Sequence, residues 1–188
     1  MALLVEVNVA DSIRMVGDSE NPERSEAFVA YGNDRFYNGP MSTLAHPAAK
    51  AAVRQRIERL TPSTTRRWGR MTPHQMVCHL SDAYRISSGE RNPKPIDNFI
   101  TRSVVRLVAL HTSLTWPKGA KTVPEADQEQ DGTKPAEWDR DLADLLRRIE
   151  AFNPLEGHPH PLFGPLTVSE WNVWGFRHAD HHLRQFGL

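Results

Sequence analysis

The sequence predicts an all-α domain, most simply a four- or five-helix bundle with up-down packing, preceded by a poorly ordered N-terminal extension. Three observations lead there. Apolar residues recur at helical spacing in five segments. Thr and Pro sit where helices open or close. No two runs alternate and pair as strands do.

The first helix opens at His46-Pro47, with Pro at a first-turn position where its missing N–H costs nothing. Ala48, Ala51, Ala52, Val53, Ile57 and Leu60 form its apolar stripe, with Arg and Lys opposite. Thr61-Pro62 ends it, because Pro cannot continue a helix. Thr72-Pro73 starts the second, a cap followed by Pro. Met76, Val77, Leu80, Ala83, Tyr84 and Ile86 carry that helix to about Ser88. After the Gly89–Pro95 linker comes a third stripe: Phe99, Ile100, Val104, Val105, Leu107, Val108 and Leu110. Thr115–Pro135 is a long Pro- and charge-rich loop, of a length that often carries function. The fourth helix runs from about Pro135 to Phe152, with Trp138, Leu142, Leu145, Leu146 and Ile149 on one side. Asn153–Leu166 is again loop. Thr167-Val168-Ser169-Glu170 is a capping box and opens the last helix, which reaches about Phe186.

Residues 1–40 read differently. MALLVEVNVA lacks the basic start of a signal peptide, and the stretch to Pro40 shows little periodicity. These residues are expected to be a poorly ordered extension, with the helical domain over 41–188; Met41 would itself make an ordinary start.

Composition narrows the function. Twenty-three Lys+Arg balance twenty-three Asp+Glu, and such neutrality argues against a nucleic-acid or membrane-surface partner. The single Cys fits a reducing compartment, and with no apolar run near 20 residues the expectation is a cytoplasmic protein. Nine His remain to be explained.

The last helix, SEWNVWGFRHADHHLRQFGL, holds the informative ones. His178 and His182 lie four apart, one above the other on one helical face. Trp171 and Trp174 precede them on that face and Gln185 follows. Two imidazoles so placed can reach one ion, although such a pair alone is weak evidence. The zincin pattern needs Glu after the first His, and here Ala179 stands there. In the second helix, MTPHQMVCHLSDAYR, His79 falls on the apolar side. There it is either a hydrogen-bonded core histidine or a third ligand, and three His with open positions suit a catalytic rather than a structural ion.

The closing H-x-x-H-H-L-x-Q-F pattern (His178 to Phe186), the upstream HPLFGPLTVSEW and the MTPHQMVCHL segment resemble the DinB/YfiT-like superfamily of helical metalloenzymes. The resemblance covers roughly Leu44 to the C-terminus. It implies a four-helix bundle holding a metal through His79, His178 and His182. It also implies thiol-dependent transferase or isomerase chemistry in some members, and often a homodimer. The metal would be a divalent transition ion, with Zn, Ni or Fe all suited to three imidazoles. A low-molecular-weight thiol is the cofactor the resemblance suggests.

Other residues have supporting or ordinary roles. Asp82, one turn after His79, is expected to orient its ring. Gln185 either bonds near the site or satisfies backbone. Trp174 lies on the His face, and His160 is read as a solvated loop residue that could line the pocket mouth. His181 and Asp180 turn away, His74 is read as exposed, and Cys78 as a small buried hydrophobe. No residue stands out as a general base. The leading expectation is a metal-dependent transferase or hydrolase acting on a small molecule. The alternative is a non-catalytic metal-binding or stress-associated bundle.

Overall fold

The computed structural model describes residues 42–188. The extension expected over 1–40 lies outside the described residues. The described chain is mostly helical. Helix α1 spans Pro47–Glu58, α2 Pro73–Ser87, α3 Arg106–His111, α4 Trp138–Glu150 and α5 Val168–Gln185. A π-helical turn, Thr101–Val105, leads directly into α3, and a 3-10 turn spans Pro124–Ala126.

The caps do what their sequences imply. Thr72 accepts from the Gln75 backbone N–H while the Gln75 side chain accepts from the Thr72 N–H, a full capping box on α2. Thr167 and Glu170 close the same reciprocal pair on α5. Pro47 occupies the first turn of α1.

Helices α1 and α2 each pack on both α4 and α5, and α3 lies against α5. The core between them is filled by Val53 and Ile57 of α1, Met76 and Leu80 of α2, Leu145 and Ile149 of α4, and Trp171 and Leu183 of α5, all fully buried. Close approach to α5 depends on Gly175. A Cβ there would sit 2.8 Å from Leu44 Cδ1 and 3.0 Å from Phe152 Cζ. The same point is pinned by the buried Tyr84 hydroxyl, which donates to the Gly175 carbonyl at 3.1 Å.

Two departures from the sequence reading matter. The loop expected over Asn153–Leu166 contains a two-stranded antiparallel ladder, β1 (Pro159–His160) on β2 (Gly164–Pro165), so the fold is not purely α. Two residues per strand are too few to show alternation. The second departure is the third apolar stripe. Only Leu110 of it is buried, whereas Phe99 is 84%, Val104 60% and Leu107 58% exposed. Periodicity reports an apolar face, not what covers it, and here part of that face borders a cavity rather than the core.

The start of α5 is also fixed electrostatically. The Arg106 guanidinium grips the Glu170 carboxylate through Nε at 2.8 Å and Nη2 at 2.6 Å. Burial would raise the Glu170 pKa. The Arg106 fork, the Thr167 amide and hydroxyl, and His111 outweigh it and hold the group at about 2 against an ordinary 4.5. A depressed folded-state pKa means stability that is complete above the ordinary value and lost as pH falls toward the folded one. Glu170→Gln is expected to lower stability at neutral pH by about 1–3 kcal/mol. It should also flatten the loss of stability between about pH 4.5 and 2, read by chemical denaturation across that range.

Candidate metal centre

His79 projects from the middle of α2, and His178 and His182 from successive turns of α5. Because α2 packs on α5, the three rings meet edge to face, with centroids 4.6–5.0 Å apart. Their Nε2 atoms converge: His178 Nε2 is 3.1 Å from His79 Nε2 and 3.0 Å from His182 Nε2. Three nitrogens bound to one tetrahedral ion at about 2.0–2.1 Å would stand about 3.3 Å apart. Both separations are within a few tenths of an ångström of that spacing, and all three ligand atoms lie within 4.8 Å of one another.

The outer ring nitrogens determine what the inner ones present. His79 Nδ1 lies 2.7 Å from the carbonyl oxygen of Ala126. A carbonyl only accepts, so Nδ1 carries the proton and Nε2 is a lone pair. His182 Nδ1 faces Gln185 Oε1 at 3.0 Å, with the same consequence. His178 Nδ1 is buried without a hydrogen-bond partner. If the His178 proton sits on Nε2 it can serve one neighbouring lone pair and leaves the other unmet. If it sits on Nδ1, a buried donor goes unsatisfied and three lone pairs face one another. A single cation satisfies all three.

Burial holds each of these imidazoles below its ordinary pKa, well below for His178 and His182, where the neighbouring His rings add to the effect. Neutral imidazole is the form that ligates a metal. The donor set thus fits a divalent transition ion: three neutral nitrogens, two of them oriented from behind.

The remaining candidates fall in different places. Gln185 orients His182. Trp174 lies with its ring 4.6 Å from that of His178. His160 is not solvated. It is buried, stacked on Phe163 at 4.5 Å, with its Nδ1 accepting from the Leu162 and Phe163 backbone N–H groups. Burial pushes its pKa down to about 3, so it lines the pocket as a neutral ring. The β1–β2 ladder accounts for this, since it turns the loop inward at His160.

Asp82 does not orient His79; the Ala126 carbonyl occupies that position. Asp82 is instead a fully buried anion. It is ion-paired with Arg91 Nη1 at 2.8 Å and accepts from Arg85 Nη1 at 2.9 Å, the Thr133 amide at 2.7 Å and the Thr133 hydroxyl at 2.6 Å. Arg91 in turn donates to the Glu125 carbonyl. Asp82 therefore fastens the segment that carries Ala126 at two points, Glu125 through Arg91 and Thr133 directly. Two surface readings also change. Asp180 is half-buried and paired with Arg56 at 2.8 Å, and His74 is bonded to Asp141 at 2.9 Å.

The centre opens into a cavity of about 1060 Å³. Val104, Val108, Leu114 and Trp116 wall it with apolar side chains, and the three His and Gln185 lie on one side. His181 also borders it, edge to face with Trp68 at 5.0 Å.

Fold and site together define a mostly helical protein with a largely buried three-His cluster at the wall of an apolar cavity. Residues 40–187 match the family described as a protein of unknown function (DUF1569), and the chain belongs to that family. No curated protein and no solved structure matches the chain.

If Asp82 positions Ala126 and through it His79, Asp82→Asn should act at a distance. The expected result is a loss of roughly 3 kcal/mol, because three positive or polar partners lose their buried anion. Zinc affinity should fall about 10–100-fold, the usual effect of disturbing a ligand's outer support. Urea denaturation and competition with a chromophoric chelator measure the two.

Proposed function

We propose that this chain is a metal-dependent enzyme of the DinB/YfiT-like type, acting on a small molecule. The observation that carries the reading is the convergence of three imidazole lone pairs at the wall of a cavity of ligand size. A ring of contacts among α1, α4, α2 and α5 is consistent with the up-down four-helix bundle that the resemblance implies.

A divalent ion such as Zn, Ni or Fe, held by His79, His178 and His182, supplies a Lewis acid that makes a water or a thiol nucleophilic near neutral pH. The protein's own part is positional. Ala126 and Gln185 fix two of the rings, and burial keeps all three neutral. Trp174 and His160 shape the wall beside His178. The polar groups bonded to the trio, the Ala126 carbonyl and Gln185, are committed to its ring nitrogens. A reaction whose nucleophile is generated by the ion itself therefore suits the site. That covers the two reaction classes in view, transfer with a low-molecular-weight thiol and hydrolysis. The apolar walls favour a substrate with a substantial apolar body.

The described helices include none long and apolar enough to cross a membrane. With the neutral charge, this suits a cytoplasmic protein whose partners are small molecules rather than nucleic acid, and the superfamily resemblance adds a second copy of the chain. The second reading, a non-catalytic metal-binding bundle, shares the same site and separates from the first by activity alone.

Protein purified without a His-tag is expected to carry about one tightly held first-row ion per chain. His178→Ala should weaken the sulfur-free site's affinity for that ion at least tenfold while leaving the helical circular dichroism unchanged. Unchanged affinity at that site in the variant would overturn the assignment. A screen of the metal-loaded protein against electrophiles, with and without thiols, then decides between enzyme and binding protein.

A further inference from the structure

A second set of ligand-bearing side chains lies on another face of α2. His74 and Cys78 are one helical turn apart, and facing them from the first turn of α4 is Asp141. One ligand atom from each lies within 4.8 Å of the other two. His74 Nε2 is 2.9 Å and Cys78 Sγ 3.8 Å from the same oxygen, Asp141 Oδ2. In a tetrahedral zinc site with bonds of about 2.0–2.3 Å, donor atoms stand about 3.3–3.8 Å apart. These three need only small side-chain rotations to reach that spacing.

We infer that His74, Cys78 and Asp141 form a second cation site, selective for a thiophilic divalent ion such as zinc, that clamps α2 to α4. Nitrogen, sulfur and carboxylate oxygen together are a borderline-soft donor set, suited to Zn and poorly suited to Mg or Ca. The carboxylate is already aimed, because the Ala136 backbone N–H holds Asp141 Oδ2 at 3.0 Å. Trp138, one turn earlier on α4, sets its ring edge-to-face on His74 at 5.4 Å and fixes that imidazole. Cys78 is buried, whereas His74 and Asp141 keep side-chain exposures of 22% and 14%. The site is thus closed on the sulfur side and open on the other, where water completes the coordination.

The ion takes the place of the hydrogens that His74 and Cys78 now direct at Asp141. The Cys78 thiol releases its proton to solvent and forms the metal–sulfur bond. The His74 ring shifts its proton from Nε2 to Nδ1 and binds through Nε2. Asp141 binds through Oδ2. With His74 neutral, one proton leaves per ion bound, and no electron changes hands. None of these residues belongs to the three-His cluster, so either site can exist without the other.

The test is a titration of the metal-free full chain with Co(II), followed by absorption. Two equivalents are expected, one of which adds the near-ultraviolet sulfur-to-cobalt charge-transfer band. Cys78→Ser should remove the band and at least a tenfold share of the affinity for one equivalent, leaving the other unchanged. His178→Ala should keep the band. Zinc should slow alkylation of Cys78 by iodoacetamide at least tenfold in the wild type, and His74→Gln should abolish that protection. His74 is partly exposed, so this variant remains informative if Cys78→Ser fails to fold. Absence of the band in the wild type, its loss in His178→Ala, or zinc protection that survives His74→Gln would each overturn the inference. Loss of the nitrogen-bound equivalent alone would count against the three-His centre and not against this site.

Discussion

Three imidazole nitrogens aimed at one point inside a buried pocket impose a constraint that much of the surrounding structure serves. Lone pairs crowded at 3.0–3.1 Å are unfavourable unless something positive lies among them. Holding them there requires rigid elements on both sides. Helix α5 presents two of the rings on successive turns, and its start is locked by the Thr167–Glu170 box and the Arg106 fork. Helix α2 presents the third, and its start is locked by Thr72 and Gln75. Gly175 lets α5 pack closely on Leu44 and Phe152, and Tyr84 ties α2 to α5 at the same residue.

The long segment between α3 and α4 completes the arrangement. Its 3-10 turn brings the Ala126 carbonyl to His79, and this contact selects the tautomer that leaves Nε2 free. The turn holds its place because Asp82, on α2 itself, binds Arg91 ahead of the segment and Thr133 at its end. The charged group nearest in sequence to His79 thus acts on it through the backbone of a loop 47 residues away.

Much of this was legible in the sequence, and the reasons are local. Capping boxes, first-turn prolines and 3.6-residue periodicity are short-range signals, so α1, α2, α4 and α5 begin within a few residues of where the sequence places them. The His178–His182 pair is equally local. His79 needed its apolar surroundings and a family resemblance to be joined to it. The parts that were not legible depend on tertiary contacts. No side-chain pattern marks Ala126, because what it contributes is a carbonyl oxygen that every residue has. Asp82 reads as a helix-face carboxylate one turn from His79, and only the folded loop shows that its partners are Arg91 and Thr133. His160 reads as solvated because Pro and Gly surround it, yet the β1–β2 ladder turns it inward. The Val104–Val108 stretch reads as core because an apolar stripe facing a cavity has the same periodicity as one facing another helix.

The central claim is that one divalent ion is held by the three converging nitrogens. X-ray absorption on the Cys78→Ser chain loaded with a single equivalent of zinc tests this directly, because that variant lacks the sulfur of the second cluster. The account predicts a first shell of three imidazole nitrogens at about 2.0 Å with a light fourth atom. A shell with fewer than three imidazoles would contradict it.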